Sequence, residues 1–247
     1  MFGSLFSDRQ NALVWSFFVP KHIGIAAVSP EGSSFCYRML GRKCSDIAER
    51  ERRPTITLHN LPFSSYVESL NSGDWKSIAD YLRETARALA TAGAHFCILP
   101  DNVCHHALPS AETGSPIPWI NMIELVAASL QSRGCKHVGL VGTRFVTHGS
   151  TYQIALGLRG MHLHVPPKEQ AEAIDRIIFE EAIFNRVNKK SKATVLAAIA
   201  QLQQRGCEAL ILGTTEGSLL ISPEESPLPL IDPLEVLVDR AIAHAME

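Results

Sequence analysis

The chain has 247 residues, of which 46% are hydrophobic and 19% are charged, and its 16 Gly and 14 Pro are ordinary for a globular protein. This composition excludes a disordered or collagen-like chain, and the length suffices for one large domain or two smaller ones. Its 23 Lys and Arg against 25 Asp and Glu give a net charge of −2. Because no surplus of basic residues is present to neutralise phosphates, we do not expect a nucleic acid as a main partner.

Residues 1–20 are interpreted as an N-terminal extension that precedes the fold. Apolar residues occur there in patches, but Asp8 and Arg9 interrupt the place where an export signal needs its apolar stretch. No apolar run in the sequence approaches the roughly 18 residues of a membrane span. We therefore expect a soluble protein of the cytoplasm, without a membrane partner, whose fold starts near Lys21.

An internal repeat sets the predicted architecture. The segment KHIGIAA at 21–27 returns as KHVGLVG at 136–142, and residues 93–102 return as residues 206–215. Both members of the second pair follow an Ala- and Leu-rich amphipathic helix that a glycine stops, and both run as an apolar strand into a polar loop. Two correlated matches at nearly equal spacing predict a duplicated α/β unit.

Helices and strands are predicted to alternate between the repeated segments. We predict a strand at 55–58 and helices at 74–91, 119–133 and 170–187. Such alternation is typical of parallel sheets flanked by helices.

Two similar α/β domains are the predicted organisation. The first domain is expected at 21–116 and the second at 117–232, with residues 109–118 as the linker. A last helix at 233–247 is expected to return to the first domain. Since parallel sheets bind ligands beyond the carboxyl ends of their strands, we expect the site in the cleft between the two domains.

Polar loops follow the repeated strands. Residues 101–105 and 214–216 match each other, so that one group can lie on each face of a small substrate. This arrangement suits removal of a proton from one face of a carbon and delivery to the other. Thr143 and Arg144 follow the strand at 136–142 and offer hydroxyl, amide and guanidinium donors for a substrate carboxylate. Ser29 lies in the corresponding loop of the first repeat, after the strand at 21–27, and offers another donor.

Six cysteines are scattered along the chain, and no two form a CxxC pair. They are Cys36, Cys44, Cys97, Cys104, Cys135 and Cys207. This distribution is typical neither of a disulfide framework nor of a structural zinc site, and it favours a reducing compartment. His162 and His164 have no third ligand at a suitable spacing, so no metal site is predicted.

Five motifs, in chain order, resemble those of the aspartate/glutamate racemase family of cofactor-independent amino-acid racemases. They are GIAAVSPEGSSFCYRML, AGAHFCILPDNVCH, VGLVGTRFVTHGSTYQ, AIDRIIFEEAIF and CEALILGTTEGSLLISPEESPLPLID. The resemblance extends from about residue 21 to residue 247. It implies two pseudo-symmetric domains, each a four-stranded parallel sheet flanked by helices, with the active-site cleft between them, no cofactor, and a homodimer.

The resemblance also implies a mechanism. In the family, two cysteines from the duplicated loops act in turn: one thiolate removes the α-proton and the other thiol returns a proton on the opposite face. The matching positions here are Asp101 and Thr214. Asp101 is then the base on one face, a role that a carboxylate can take when desolvation raises its pKa. Thr214 lies opposite and relays a proton through water.

The resemblance further assigns substrate-binding positions. Asn102, Thr143, Thr215 and Glu216 match the family where it holds substrate or supports the loops, and we expect the first three to position the substrate carboxylate. Val103 replaces the usual threonine of this pocket, which removes a hydroxyl. For Glu216, a residue stabilised by exposed amides at a helix N-terminus and a functional residue are equally supported.

Three further residues are candidate supports of the site. His105 matches the family histidine after the first motif, and a loop-anchoring imidazole is favoured for it over a catalytic role. Cys104 follows Asp101 by three positions, and a small buried residue turned away from the cleft is favoured over a relocated catalytic thiol. Arg144 is the third.

The predicted function is that of a racemase-like isomerase acting at the α-carbon of a small carboxylated substrate, an amino acid above all. Two alternatives remain open. The loss of both thiol positions favours a non-catalytic protein that binds an amino acid or a dicarboxylate. A decarboxylase or a cis–trans isomerase on the same scaffold would need only one acidic residue and an oxyanion pocket.

Overall fold

The computed structural model describes residues 19–184 and 186–247. Residues 1–18 of the predicted N-terminal extension lie outside the described residues. Within the described part of the chain, no helix combines the length and the apolar character needed to cross a membrane.

Eight strands form two four-stranded parallel sheets in the described residues. The first sheet has the strand order β2-β1-β3-β4 and the second has the order β6-β5-β7-β8. The strands are β1 (Ile23–Ala27), β2 (Ile56–Asn60), β3 (Phe96–Ile98), β4 (Trp119–Ile120), β5 (His137–Gly142), β6 (His162–His164), β7 (Ala209–Gly213) and β8 (Leu230–Ile231). Because the two orders are equivalent, the predicted architecture of two similar parallel α/β sheets is confirmed.

Helices connect and flank the strands. They are α1 (Pro30–Ser45), α2 (Phe63–Ser72), α3 (Trp75–Thr91), α4 (Leu108–Glu112), α5 (Met122–Ser132), α6 (Arg144–Thr147), α7 (Thr151–Gly157), α8 (Lys168–Glu180), α9 (Lys189–Gln204), α10 (Gly217–Leu220) and α11 (Pro233–Ala245). Short 3-10 helices lie at Arg50–Arg52, Cys104–His106 and Ala182–Phe184.

The helices that lead into β3 and β7 end as the sequence predicts. In α3, the Asp74 carboxylate accepts a hydrogen bond from the Ser77 N–H at 3.0 Å and begins the helix, which buries one stripe of side chains against the sheet. Gly93 follows α3 with a φ of 92°, and Gly206 follows α9 with a φ of 86°. Both glycines therefore adopt the left-handed conformation that stops a helix.

The helix predicted at 119–133 starts later than expected. Its first two residues form β4, which pairs with β3 in the first sheet, so this sheet extends past the expected domain boundary at 116–117. The helix begins only at Met122, because the Asn121 side chain accepts hydrogen bonds from the N–H groups of Ile123 and Glu124.

The helix predicted at 170–187 also ends earlier than expected, at Glu180. The next carboxylate, that of Glu181, accepts hydrogen bonds from the Asn188 N–H at 3.0 Å and the Ser191 hydroxyl at 2.6 Å. Glu181 is thereby bound to the beginning of α9, and Ala182–Phe184 form a short 3-10 helix instead of continuing α8.

One hydrophobic cluster joins the two sheets. It contains Ile23 and Phe96 from the first sheet and Val138 and Leu140 from the second, with side chains of α5 and α11 between them. Helix α11 packs against α1 and α5. Its Asp239 accepts a hydrogen bond from the Lys43 ammonium of α1, and its Ala245 carbonyl accepts one from the Lys21 N–H at 2.9 Å.

Candidate active site

The carboxyl ends of β1, β3, β5 and β7 open onto a cavity of about 460 Å³ between the two sheets. Most of the residues singled out in the sequence line it: Ser29, Asp101, Asn102, Val103, Thr143, Arg144, Thr214, Thr215 and Glu216. Cys104 and His105 do not line it, since both are buried beneath the loop. The cavity therefore lies where parallel sheets bind ligands.

Asp101 lies in the loop after β3 and is only partly exposed to the cavity. Its Oδ1 accepts a hydrogen bond from the Cys104 N–H at 2.7 Å. Burial raises the pKa of the Asp101 carboxyl above its ordinary value, although hydrogen bonds from the loop lower it in part, and the Glu216 carboxylate adds a small further increase. A carboxyl group with raised proton affinity is suited to take up and release a proton.

His105 holds the Asp101 loop from below. Its Nε2 accepts a hydrogen bond from the Met122 N–H at 3.1 Å, so the proton of the ring is on Nδ1, which donates to the Asp101 carbonyl at 2.6 Å. Burial lowers the pKa of His105 to about 4. The neutral ring thus bridges the loop to the N-terminus of α5.

Cys104 is fully buried, and its backbone N–H donates to the Asp101 carboxylate. Burial raises the pKa of this thiol well above its ordinary value. Cys104 is therefore held as a neutral thiol behind Asp101.

Asn102 connects the two halves of the protein. Its Oδ1 accepts a hydrogen bond from the hydroxyl of Tyr152, a buried residue of α7, at 2.7 Å. Tyr152 could not be predicted as a site residue, because its sequence context does not distinguish it from an ordinary aromatic residue of the core.

Thr214 forms a pair with Glu216. Its hydroxyl donates to Glu216 Oε2 at 2.6 Å, and the side chain is buried. Although Glu216 immediately precedes α10, its carboxylate makes no capping hydrogen bond to that helix within the described residues. Glu216 thus occupies the N-cap position of α10, and its carboxylate accepts the hydrogen bond from the Thr214 hydroxyl.

Thr143 and Arg144 differ in how they are partnered. The Thr143 hydroxyl oxygen is buried and has no hydrogen-bond partner in the described part of the chain. Arg144, by contrast, donates to both carboxylate oxygens of the buried Asp175, through its backbone N–H at 2.7 Å and Nη1 at 2.8 Å. Its guanidinium charge is thus already paired, and Asp175 is a second residue that the sequence analysis missed.

Ser29 begins α1, and its Oγ accepts a hydrogen bond from the Gly32 N–H at 3.1 Å. Gly32 is required here by a close approach: a Cβ at this position would lie 2.8 Å from Ser29 Oγ and 3.1 Å from Thr215 Oγ1. The Thr215 hydroxyl in turn lies 3.5 Å from the Pro100 carbonyl. The two loops therefore meet across the cleft beside α1.

No cluster of three or more His, Cys, Asp or Glu side chains is arranged to hold a metal ion, as far as the described residues extend. His137 and His164 share a hydrogen bond of 3.0 Å at the second sheet, away from the cavity.

Similarity to known proteins runs from β1 to α11. Residues 25–241 match the sequence model of the Asp/Glu/Hydantoin racemase family. The chain belongs to this family. Membership supports a racemase or related isomerase, and none of the similarities favours a non-catalytic binding protein, a decarboxylase or a cis–trans isomerase.

Individual members of the racemase family give the same result. The glutamate racemase of Hydrogenobaculum sp. (strain Y04AAS1) is 26% identical over 159 residues, which are 64% of this chain and 60% of that protein. The crystal structure of a proposed Asp/Glu racemase from Yersinia pestis has 25% identity and a TM-score of 0.85, with 92% of this chain and 100% of that one covered. An aspartate racemase homologue from Pyrococcus horikoshii OT3 has 27% identity, a TM-score of 0.81 and the same coverage.

Proposed function

We propose that this racemase-family protein moves a proton, without a cofactor, at the α-carbon of a small carboxylated substrate. Asp101 acts on one face of the carbon and the Thr214–Glu216 pair acts on the other. The observation that carries the proposal is the equivalence of β3 and β7, which have the same position in the two sheets. The loops after these strands each contribute a carboxyl group to one cavity.

In the proposed step, the Glu216 carboxylate takes the hydroxyl proton of Thr214 through their hydrogen bond, and the Thr214 oxygen removes the α-proton. The electron pair of the C–H bond is delocalised into the substrate carboxylate, and on the opposite face the Asp101 carboxyl group gives its proton to the α-carbon. Glu216 is left protonated and Asp101 ionised, which is the starting form for the reverse direction. The 2.6 Å hydrogen bond between Thr214 and Glu216 supports this relay.

The substrate carboxylate needs donors beside these groups. The unpartnered, buried Thr143 hydroxyl supports a role for this residue as one of them. The Asn102 amide group, whose Oδ1 is occupied by Tyr152, is left with N–H donors at the cavity. The Thr215 hydroxyl is a third donor.

The test is hydrogen–deuterium exchange at the α-carbon, followed by NMR in deuterated water with a panel of L- and D-amino acids. We expect exchange and inversion with the unaltered protein. Asp101→Asn and Glu216→Gln should each abolish inversion and retain exchange of one enantiomer only, the opposite one in the two variants, since each keeps one acid–base group.

The matched control is Glu84→Gln, on the exposed side of α3 away from the cavity, which should leave inversion unchanged. Inversion that survives in either Asp101→Asn or Glu216→Gln would refute the two-sided mechanism.

The homodimer and the cytoplasmic location stay predictions. The family resemblance supports the dimer, and the exposed apolar side chains of Ile154 and Leu158 on α7 are consistent with a covered face. Sedimentation equilibrium should give a mass of twice the chain if the dimer forms.

A further inference from the structure

One part of the cavity lining is an apolar wall. Side chains from α2, from α6 and from the segment 178–184 make this wall: Phe63, Leu70, Phe145, Ile178, Phe179 and Phe184. The acid–base groups lie in the loops after β3 and β7. A ligand in this cavity therefore meets both polar groups and apolar surface.

Several of these side chains are unusually exposed. Phe63 and Phe179 are each 41% exposed and Phe184 is 55% exposed, although all three line the same cavity. Large apolar side chains that converge on one concave surface while remaining in water mark a place where an apolar group binds.

The charges of the cavity argue against an acidic side chain on the ligand. Among the described residues, three carboxyl groups line it, those of Glu31, Asp101 and Glu216. The one cation that these residues contribute to the lining is Arg144, and its Nη1 lies 2.8 Å from the Asp175 carboxylate. A second carboxylate on the substrate would enter a site with a surplus of negative charge.

The size of the cavity agrees with a bulky ligand. A volume of about 460 Å³ lies within the range of roughly 300–1,000 Å³ that is typical of pockets for drug-sized molecules. A substrate as small as aspartate would leave most of the apolar wall uncovered.

We propose that the substrate is a carboxylic acid whose α-carbon carries an aromatic or a branched aliphatic side chain, which lies against the apolar wall. This inference rests on the proposed proton transfer for the placement of the carboxylate. Phe63 of α2 and Phe179 of α8 are then specificity-determining residues of this wall.

The test measures binding and turnover separately. Isothermal titration of the full chain with L- and D-phenylalanine, L- and D-leucine, and L- and D-aspartate gives the affinities, and α-proton exchange of the same compounds gives turnover. We expect phenylalanine or leucine, in one enantiomer at least, to bind tenfold or more tightly than aspartate. Aspartate binding as tightly as both apolar amino acids would overturn the inference.

Variants on the apolar wall make the test specific. Phe63→Ala and Phe179→Ala should each weaken phenylalanine binding about tenfold and leave aspartate binding unchanged, and both side chains are exposed enough for the fold to tolerate their loss. Tyr37→Ala, at an exposed aromatic side chain of α1 that does not line the cavity, is the matched control. Equal weakening of both ligands, or of neither, would overturn the assignment of these residues.

The two proposals fail in different ways. Tight binding of phenylalanine without α-proton exchange would refute the proton transfer and would still support binding of an apolar side chain at the apolar wall. Exchange of aspartate together with weak binding of the apolar amino acids would do the opposite.

Discussion

Thr143 and Thr147 lie one helical turn apart, and their hydroxyl groups differ in whether they form a hydrogen bond. Thr147 Oγ1 donates to the Thr143 carbonyl at 3.1 Å, whereas Thr143 Oγ1 is buried without a partner among the described residues. We predict that Thr143→Val leaves the free energy of unfolding unchanged or raises it by about 1 kcal/mol, because it removes an unsatisfied polar group. The same variant should weaken substrate binding about tenfold. Urea denaturation and titration calorimetry measure the two effects.

Thr147→Val serves as the comparison for this prediction. It removes a hydroxyl that is hydrogen-bonded, so it should lower the free energy of unfolding by about 1 kcal/mol. If both variants lowered the free energy of unfolding equally, the Thr143 hydroxyl would have a hydrogen-bond partner in the protein without ligand. It would then not be available to bind the substrate carboxylate.

His105 predicts a dependence of stability on pH. The unfolded chain binds a proton at the ordinary pKa of 6.5, whereas burial lowers the pKa in the folded protein to about 4. Between these values the unfolded state binds more protons, so the contribution of His105 to the free energy of unfolding rises with pH. We predict that the difference between the unaltered protein and His105→Gln grows by roughly 3 kcal/mol from pH 4 to pH 6.5, as measured by urea denaturation.

Because the prediction concerns the difference in free energy of unfolding between two proteins, the contributions of the other titrating groups cancel. Asp232, whose pKa burial raises to about 6, acts in the opposite direction over this range and is present in both. The exposed neighbour His106 provides the control, since His106→Gln should keep the pH dependence of the unaltered protein. The same dependence in His105→Gln would show that another group is responsible.

Individual site residues could be predicted where they follow a recognisable strand. Asp101, Thr143 and Thr214 directly follow apolar segments of the repeat, and parallel strands end at the same edge of a sheet. Tyr152 and Asp175 could not, because their partners Asn102 and Arg144 lie 50 and 31 residues away in the sequence. Such pairings depend on tertiary packing and leave no local pattern.

Strands β5 and β7 approach each other most closely where they enter the site. A Cβ on Gly142 would lie only 2.6 Å from the Gly213 carbonyl oxygen. We predict that Gly142→Ala lowers the free energy of unfolding by about 1–3 kcal/mol, since the added methyl group overpacks this contact. It should also slow α-proton exchange by tenfold or more, because Thr143 and Thr214 follow these strand ends. Urea denaturation and NMR measure the two effects.

Gly41→Ala is the matched substitution for this element. A Cβ at Gly41, within α1, has no atom within 4 Å, so the variant should be more stable by roughly 0.5–1 kcal/mol and should exchange at the unaltered rate. A Gly142→Ala protein as stable as the Gly41→Ala protein would contradict the close approach of the strands.

Elements were predictable in proportion to their length. The repeated strands β1, β5 and β7 have five or six residues, enough to carry an apolar pattern into a recognisable loop. Strand β4 has only two residues, which are too few to show a periodic pattern. Its apolar Trp119 and Ile120 were therefore predicted as the first residues of the helix that follows. Its place in the first sheet is fixed by the Cys97 N–H, which donates to the Pro118 carbonyl at 2.8 Å.

At the scale of the whole molecule, the hydrophobic cluster between the sheets predicts a single unfolding transition. Leu237 of α11 is fully buried in this cluster. We predict that Leu237→Ala lowers the free energy of unfolding by about 2–5 kcal/mol and shifts both halves together. Trp75 and Trp119 lie in the first half, so in a Trp15→Phe background, which removes the tryptophan outside the described residues, their fluorescence and the circular dichroism of the whole chain should change at the same urea concentration.

Glu84→Gln, at an exposed site of α3, should leave that midpoint unchanged. Fluorescence and circular dichroism transitions that separated in Leu237→Ala would mean that the two sheets unfold independently.

The contact between α1 and α11 also has a consequence for biosynthesis. All strands of the first sheet lie within residues 23–120, whereas the helix that covers Leu40 of α1 comes from Pro233–Ala245. At roughly 5–20 residues per second, the ribosome needs about 6–25 seconds to synthesise the chain between them. During that interval the nascent first half presents an uncovered apolar helix face to chaperones and to other nascent chains.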